Sequence, residues 1–290
     1  MKSIIKKIAT VQDLAGFGRC SLSVVMPVLS VMGYQVCPIP TAILSTHPGF
    51  KEYYIYNMKD TTYDYLEHWK KVGIAFDCIY IGFLASETQV DIMSDFIEYS
   101  SKGKRQLVVV DPVLGDHGKL YKICSVEMQK KIHRLLPKAD VITPNLTEAC
   151  LLLGYEYIHE PLDNGTMKKL LVNLSNLGPD NIVITGVQGK DGEYCNIAYS
   201  KSMKLSWKVN YCNVPKNYPG TGDIFTSVLT GRLLKAEDLP KAMDYATKFT
   251  SQAVKKSFDS NTKEMEGVLL ESELGNLLNE ANGYSYTILD

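Results

Sequence analysis

The sequence predicts an α/β fold in which a mainly parallel central sheet is flanked by helices on both faces. Short β-branched runs alternate with segments of helical apolar periodicity in the order β-α-β-α, the pattern of parallel strands joined by crossover helices. No internal repeat, low-complexity tract or linker interrupts that order, so residues 1–290 read as one domain.

Strands are expected near residues 4–11, 35–39, 78–81, 107–110, 141–143 and 182–185. Helical periodicity fills the intervals at 22–32, 62–71, 88–99, 126–136, 146–153 and 167–177. Beyond Thr185 the texture changes. Residues 194–199 and 203–209 are strand-like with no helix between them, and two long helices then run as far as Lys256.

Composition narrows the function classes. A net charge of -1, from 31 basic and 32 acidic residues, gives no electrostatic footprint for nucleic acid or an anionic membrane surface, so small-molecule chemistry is favoured. Cys20, Cys37, Cys78, Cys124, Cys150, Cys195 and Cys212 are odd in number and form no Cys-x-x-Cys pair, which argues against a disulfide framework or zinc knuckle and for a reducing, cytoplasmic setting. The apolar run after Lys6 and Lys7 is too short for a signal peptide, and no later run is long enough to span a bilayer.

The stretch from Tyr218 to Leu234 combines a glycine turn, a lone carboxylate and an apolar helix start. Gly220 and Gly222 leave room for backbone N–H groups to approach an anion, and Asp223 stands where the helix begins. In phosphoryl transfer to an alcohol such amides hold the transferring group while a carboxylate accepts the hydroxyl proton. Asp223 therefore suits either a general base or a helix cap.

Other strand ends carry polar groups where ligands of open α/β sheets bind. Asp13-Leu14-Ala15-Gly16-Phe17-Gly18-Arg19 has glycines after a strand, but Ser21 replaces the third glycine of a dinucleotide fingerprint and Cys37-Pro38-Ile39-Pro40 supplies no ribose-binding acid. Hydride transfer is thus disfavoured. Asp13 reads as a ligand contact or a turn-fixing residue. Thr41, Ser45 and His47 lie in the segment from Pro40 to Phe50, which runs into Tyr53, Tyr54 and Tyr56; His47 has no partner histidine at a metal-ligand spacing. Asp111 precedes Pro112 at a strand end, and Thr143-Pro144-Asn145-Leu146-Thr147-Glu148 ends a strand and opens a helix, so Glu148 suits a first-turn helix acid or a metal-binding carboxylate. Asp111, Glu148 and Asp223 together suit a magnesium–nucleotide complex, and the absence of a Gly-x-x-x-x-Gly-Lys-Ser/Thr loop excludes a P-loop kinase.

Taken in register, the segments starting at Asp13, Pro40, Asp111, Thr143 and Gly220 resemble those of pyridoxal/pyridoxamine kinases of the ribokinase-like superfamily, over nearly the whole chain. The resemblance implies phosphorylation of the 5'-hydroxymethyl group of a B6 vitamer by ATP with Mg2+, by a homodimer. It implies Asp223 as base and Gly220, Thr221 and Gly222 as anion hole. It also implies Asp111, Thr143, Asn145, Glu148 and Thr185 as contacts to ATP, magnesium or a monovalent cation such as K+. Asp13 and Thr41 match positions that hold the pyridine ring, and Ser45, His47 and Phe83 join them as substrate contacts. Three departures stand out: Pro48-Gly49-Phe50 where the family often has Thr-Gly-Gly after the histidine, Asp13 where many relatives have serine, and Phe83, near which many have tyrosine. An anionic Asp13 would favour pyridoxamine's protonated amine. Two other readings are a hydroxymethylpyrimidine kinase of the same superfamily and a non-catalytic nucleotide- or vitamer-binding protein.

Overall fold

The structure is a computed structural model that describes residues 5–103, 105–280 and 283–290; Ile4, with which the first strand was expected to begin, lies outside them. The elements are β1 (Lys7–Ala15), α1 (Leu22–Val31), β2 (Gln35–Leu44), β3 (Ile55–Asn57), α2 (Lys59–Lys71), β4 (Cys78–Ile81), α3 (Glu87–Ser101) and β5 (Leu107–Val110). They continue with the small hairpin β6 (Gly115–Asp116) and β7 (Lys119–Leu120), α4 (Val126–Ile132), β8 (Val141–Ile142), α5 (Leu146–Leu153) and α6 (Asn164–Ser175). The last part comprises β9 (Asn181–Gln188), β10 (Tyr194–Ser200), β11 (Leu205–Tyr211), α7 (Thr221–Leu234), α8 (Leu239–Asp259) and β12 (Thr287–Ile288).

Ten strands form one sheet in the order β12-β11-β10-β9-β8-β5-β4-β1-β2-β3. The six from β9 to β2 are mutually parallel, while β10, β11, β12 and β3 pair antiparallel at the two edges. Successive side chains of a strand enter opposite layers. Ile79 and Ile81 of β4 join Val108, Val110 and Ile182 in the layer holding Met93, Phe96 and Leu170 of α3 and α6. Cys78 and Tyr80 join Val109 and Val183 in the layer holding Val25 of α1, Ile224 and Val228 of α7 and Phe249 of α8. Burial on both faces explains why the central strands are apolar throughout.

The expected strands and helices are present, with shifted ends. The first strand runs on to Ala15 and the second to Leu44, so residues taken as loops are sheet. Pro38 and Pro40 are tolerated there because β3 pairs only with residues 42–44, leaving the outer edge of β2 free of ladder bonds at the prolines. A register shift between Gln12 and Leu14 places a bulge in β2, where Thr41 and Ala42 stand opposite Asp13. The helix expected over 126–136 ends at Ile132, and a 3₁₀ turn carries Pro137. β3, β12 and the β6–β7 hairpin are too short to leave a periodic signal. No helix among the described residues is long and apolar enough to cross a membrane, and all seven cysteines are free.

Candidate active site

The parallel strands deliver their carboxyl ends to one edge of the sheet. There β1 ends past Asp13, β2 past Thr41, β4 before Phe83, β5 before Asp111 and β8 before Thr143, while Thr185 of β9 bridges to Asn145. The start of α7 faces this edge: Thr226, on its first turns, lies 3.0 Å from Thr143 Oγ1 and 3.3 Å from Asp111 Oδ2, one hydroxyl proton serving two acceptors. The predicted residues at 111, 143, 145, 148, 185 and 220–223 thus come from separate segments to one place.

Local geometry at the glycine turn follows from sterics. Gly220 is in the left-handed region at φ 85°, and a Cβ on it would stand 2.1 Å from the Arg19 carbonyl oxygen. Only glycine lets the turn press so closely on residues 19–21. Gly222 differs, since a Cβ there would meet nothing within 4 Å. The first N–H groups of α7 therefore open on free space at the positive end of a 14-residue helix, a setting for an anion.

Asp223 does not cap its own helix. Its Oδ2 accepts the Ser21 backbone N–H at 2.7 Å, tying α7 to the start of α1. Protein walls the carboxylate on most sides while the residue keeps partial exposure, and that burial pushes its pKa up to about 7 against the stabilising Ser21 N–H, with Asp13 adding a smaller upward push. A carboxylate poised near neutrality suits a proton acceptor.

Asp111 and Glu148 are buried behind it. Burial, then the charges of Glu148 and Asp223, hold Asp111 well above the usual carboxylate range. Burial pushes Glu148 up to about 8, although backbone N–H groups of Asn145, Leu114 and Gly115 favour its charged form. Glu148 completes a capping box: Oε2 accepts Asn145 N–H at 2.9 Å, Asn145 Oδ1 accepts Glu148 N–H at 2.9 Å, and Oε1 accepts Leu114 N–H at 3.0 Å. Glu148 is thus the first-turn helix acid, and its charge also bears on Asp111. Among the described residues no group of three or more His, Cys, Asp or Glu side chains converges on a metal position. A hard dication here would take one or two carboxylates and complete its shell with phosphate oxygens and water, as magnesium does.

The other end of the site is closed by protein contacts. Thr41 Oγ1 donates to the Phe83 carbonyl at 2.8 Å, fixing β2 against the turn after β4. Asp13, beside it at the bulge, is 4% exposed, and burial raises its pKa while Ser21 and His47 oppose the shift. Ser45 accepts Tyr54 N–H through Oγ at 2.9 Å and holds the β2–β3 connection. His47 is committed at both ring nitrogens: Nε2 lies 2.8 Å from the Met265 carbonyl and Nδ1 accepts Gly49 N–H at 3.1 Å, an arrangement that assigns the proton to Nε2. The ring packs on Phe50, which packs edge-on against Phe17. A side chain at Gly18 would stand 2.3 Å from His47. Arg19 adds a second tie, with Nε 2.8 and 2.9 Å from the Glu271 carboxylate oxygens and Nη1 3.0 Å from the Glu266 carbonyl.

The profile of the family described as phosphomethylpyrimidine kinase matches residues 63–267, which include Asp111, Asn145, Glu148 and the whole Gly220–Asp223 turn. The chain belongs to that family. Across its full length it is similar to a Bacteroides thetaiotaomicron VPI-5482 protein provisionally assigned as a phosphomethylpyrimidine kinase, whose crystal form with pyridoxal is 43% identical, with a TM-score of 0.94 covering 98% of this chain and 99% of that one. The pyridoxal kinase of Lactobacillus plantarum is 29% identical, with a TM-score of 0.86 covering 94% and 96%. The pyridoxal kinase of Arabidopsis thaliana is 28% identical over 261 residues, 86% of this chain and 80% of that protein.

The family match starts after β1 and β2, so Asp13, Thr41, Ser45 and His47 lie outside it. Sequence reading missed Ser21, Arg19, Met265 and Thr226 at this edge. Thr226 was detectable, because three residues after Asp223 a helical side chain shares its face. Ser21 and Met265 act through backbone atoms and leave no side-chain signal.

Proposed function

We propose that this chain transfers the γ-phosphoryl group of ATP to the 5'-hydroxymethyl group of a B6 vitamer. The observation that carries the reading is the convergence of an open helix start, a near-neutral Asp223 and two buried carboxylates at one sheet edge. The 43% identical Bacteroides protein solved with pyridoxal supports the substrate class. In this reading Asp223 accepts the acceptor alcohol's proton, and the N–H groups of residues 220–223 bind the transferring phosphoryl oxygens. Asp111 and Glu148 would hold Mg2+, which offsets charge on the phosphates; the mutual repulsion of these carboxylates is the feature that fits a cation. Thr143, Asn145 and Thr185 line the nucleotide side, where a K+ ion is a further candidate. Asp13, Thr41 and Phe83 line the vitamer side. Ser45 and His47 shape its closure rather than offering free polar atoms.

We further read the chain as a single kinase domain acting as a cytoplasmic homodimer, in keeping with its free cysteines. Hydroxymethylpyrimidine is the second substrate reading, favoured by the family profile itself. A panel of pyridoxal, pyridoxine, pyridoxamine and hydroxymethylpyrimidine, each assayed with ATP and magnesium for its phosphate ester, tests both. Phosphorylation of hydroxymethylpyrimidine in preference to all three vitamers would overturn the first reading, and no product from any would overturn the kinase.

A further inference from the structure

The phase of β9 changes at Thr185. Ile182 and Ile184 pack in one core layer, as alternation requires, yet Val187 packs in that same layer three residues further on. Pairing with β10 shows the cause: Ile184 stands opposite Ile197 and Val187 opposite Cys195, so Thr185 and Gly186 together face Asn196. This is a β-bulge, with Gly186 in the left-handed region at φ 71°. Bulges re-aim the side chains beside them, and the residue affected here is Thr185, whose N–H donates to the Pro144 carbonyl at 3.0 Å and which bridges to Asn145. Gly186 is exposed, and a Cβ on it would meet nothing within 4 Å. The bulge thus stands at the open sheet edge, beside Asn145.

Asn196 secures it from within the fold. Its Oδ1 accepts the Gly186 N–H at 3.1 Å, and its Nδ2 donates to Thr247 Oγ1 of α8 at 2.9 Å. Thr247 is fixed in turn, donating to the Met243 carbonyl at 2.8 Å. Packing does not select this amide, for Cys195, Ile197 and Ala198 around it are fully buried and asparagine is depleted in strands. The side chain is matched instead to the bulge: its acceptor meets the Gly186 N–H, and its donor locks the amide onto α8. Asn196 is 5% exposed, so water does not stand in for either bond when one partner is removed.

We propose that Asn196 is a positioning residue for the nucleotide side of the site, holding the Thr185–Gly186 bulge so that Thr185 is set against Asn145. The inference rests on reading Thr185 as a nucleotide contact. Asn196→Leu keeps the side chain's approximate volume and removes both bonds. It should raise the Kd for magnesium–ATP, measured by calorimetry, about fivefold, the ratio that one hydrogen bond between uncharged groups commands, and leave the Kd for pyridoxal unchanged. Amide exchange at Gly186 in the nucleotide-free protein should accelerate in the same variant. Thr247→Val, a milder change that leaves the Gly186 acceptor in place, should weaken ATP binding by less, and the double variant should match Asn196→Leu, because the two side chains act through one chain of bonds. Parental ATP affinity in both single variants overturns the proposal. So does unchanged exchange at Gly186 in Asn196→Leu, or a loss shared equally by ATP and pyridoxal, which is general loosening. Parental ATP affinity in Thr185→Val overturns it at a different point, the nucleotide reading of Thr185 itself.

Discussion

Gly220 and Gly222 stand two residues apart in one turn, yet alanine should act on them in opposite ways. At Gly220 the new methyl would lie 2.1 Å from the Arg19 carbonyl oxygen, 3.0 Å from its carbon and 3.2 Å from Cys20 Cα, all backbone atoms, at a φ of 85°. Left-handed backbone costs an L-residue about 1–2 kcal/mol and overpacking a further 1–3 kcal/mol. Residues 19–21 must move, and the 2.7 Å Ser21–Asp223 bond moves with them. Gly220→Ala should therefore lose about 2–5 kcal/mol of stability, lowering Tm by roughly 5–15 °C, together with most activity. At Gly222 the methyl meets no protein atom, and helix propensity favours alanine by up to about 1 kcal/mol. Gly222→Ala should keep or raise Tm. Its turnover should nevertheless fall by about 10²-fold, because the methyl occupies the space where a phosphoryl group must approach the α7 amides. Thermal denaturation and ATP-dependent kinetics of both variants give the comparison. Parental kcat and KM for ATP in Gly222→Ala would refute the assignment of this turn as the anion site.

Three further expectations concern the carboxylates. Asp223 must be deprotonated to accept a proton, and burial raises its pKa to about 7, so kcat/KM should be level above pH 7 and fall about tenfold per unit below it; a flat profile between about pH 5.5 and 8 excludes it as the base. Glu148→Gln leaves one acceptor for the two N–H groups of Leu114 and Asn145, and should cost about 1–3 kcal/mol of stability while raising the magnesium concentration for half-maximal activity; a magnesium titration that overlays the parent's assigns the metal to Asp111. Asp13→Ser should lower the ratio of kcat/KM for pyridoxamine over pyridoxal, and an unchanged ratio moves vitamer selection to residues 45–50.

How much was legible in the sequence depends on the range of the interaction involved. The strand-helix alternation, the glycine turn before α7 and the acids at strand ends are local patterns, set by periodicity and by what glycine and proline permit, and the chain displays them directly. Short range also explains the errors. Proline in β2 signals a strand end, and only the partial pairing of β3 shows that the prolines face an unpaired edge. His47 reads as a free imidazole until Met265 and Gly49 occupy both its nitrogens, 218 and two residues away. For Asp223, sequence left base and cap both open, and the Ser21 N–H contributed from 202 residues away decided against the cap. Likewise Tyr80 reads as an ordinary strand aromatic. Its burial exists only because α7, far along the chain, returns to cover β1, β4 and β5. Sequence by itself determined the residue types and the local turns that could hold a phosphate and accept a proton. Tertiary structure decided which of them face one another, because burial and carboxylate repulsion depend on distances that only the folded sheet brings about.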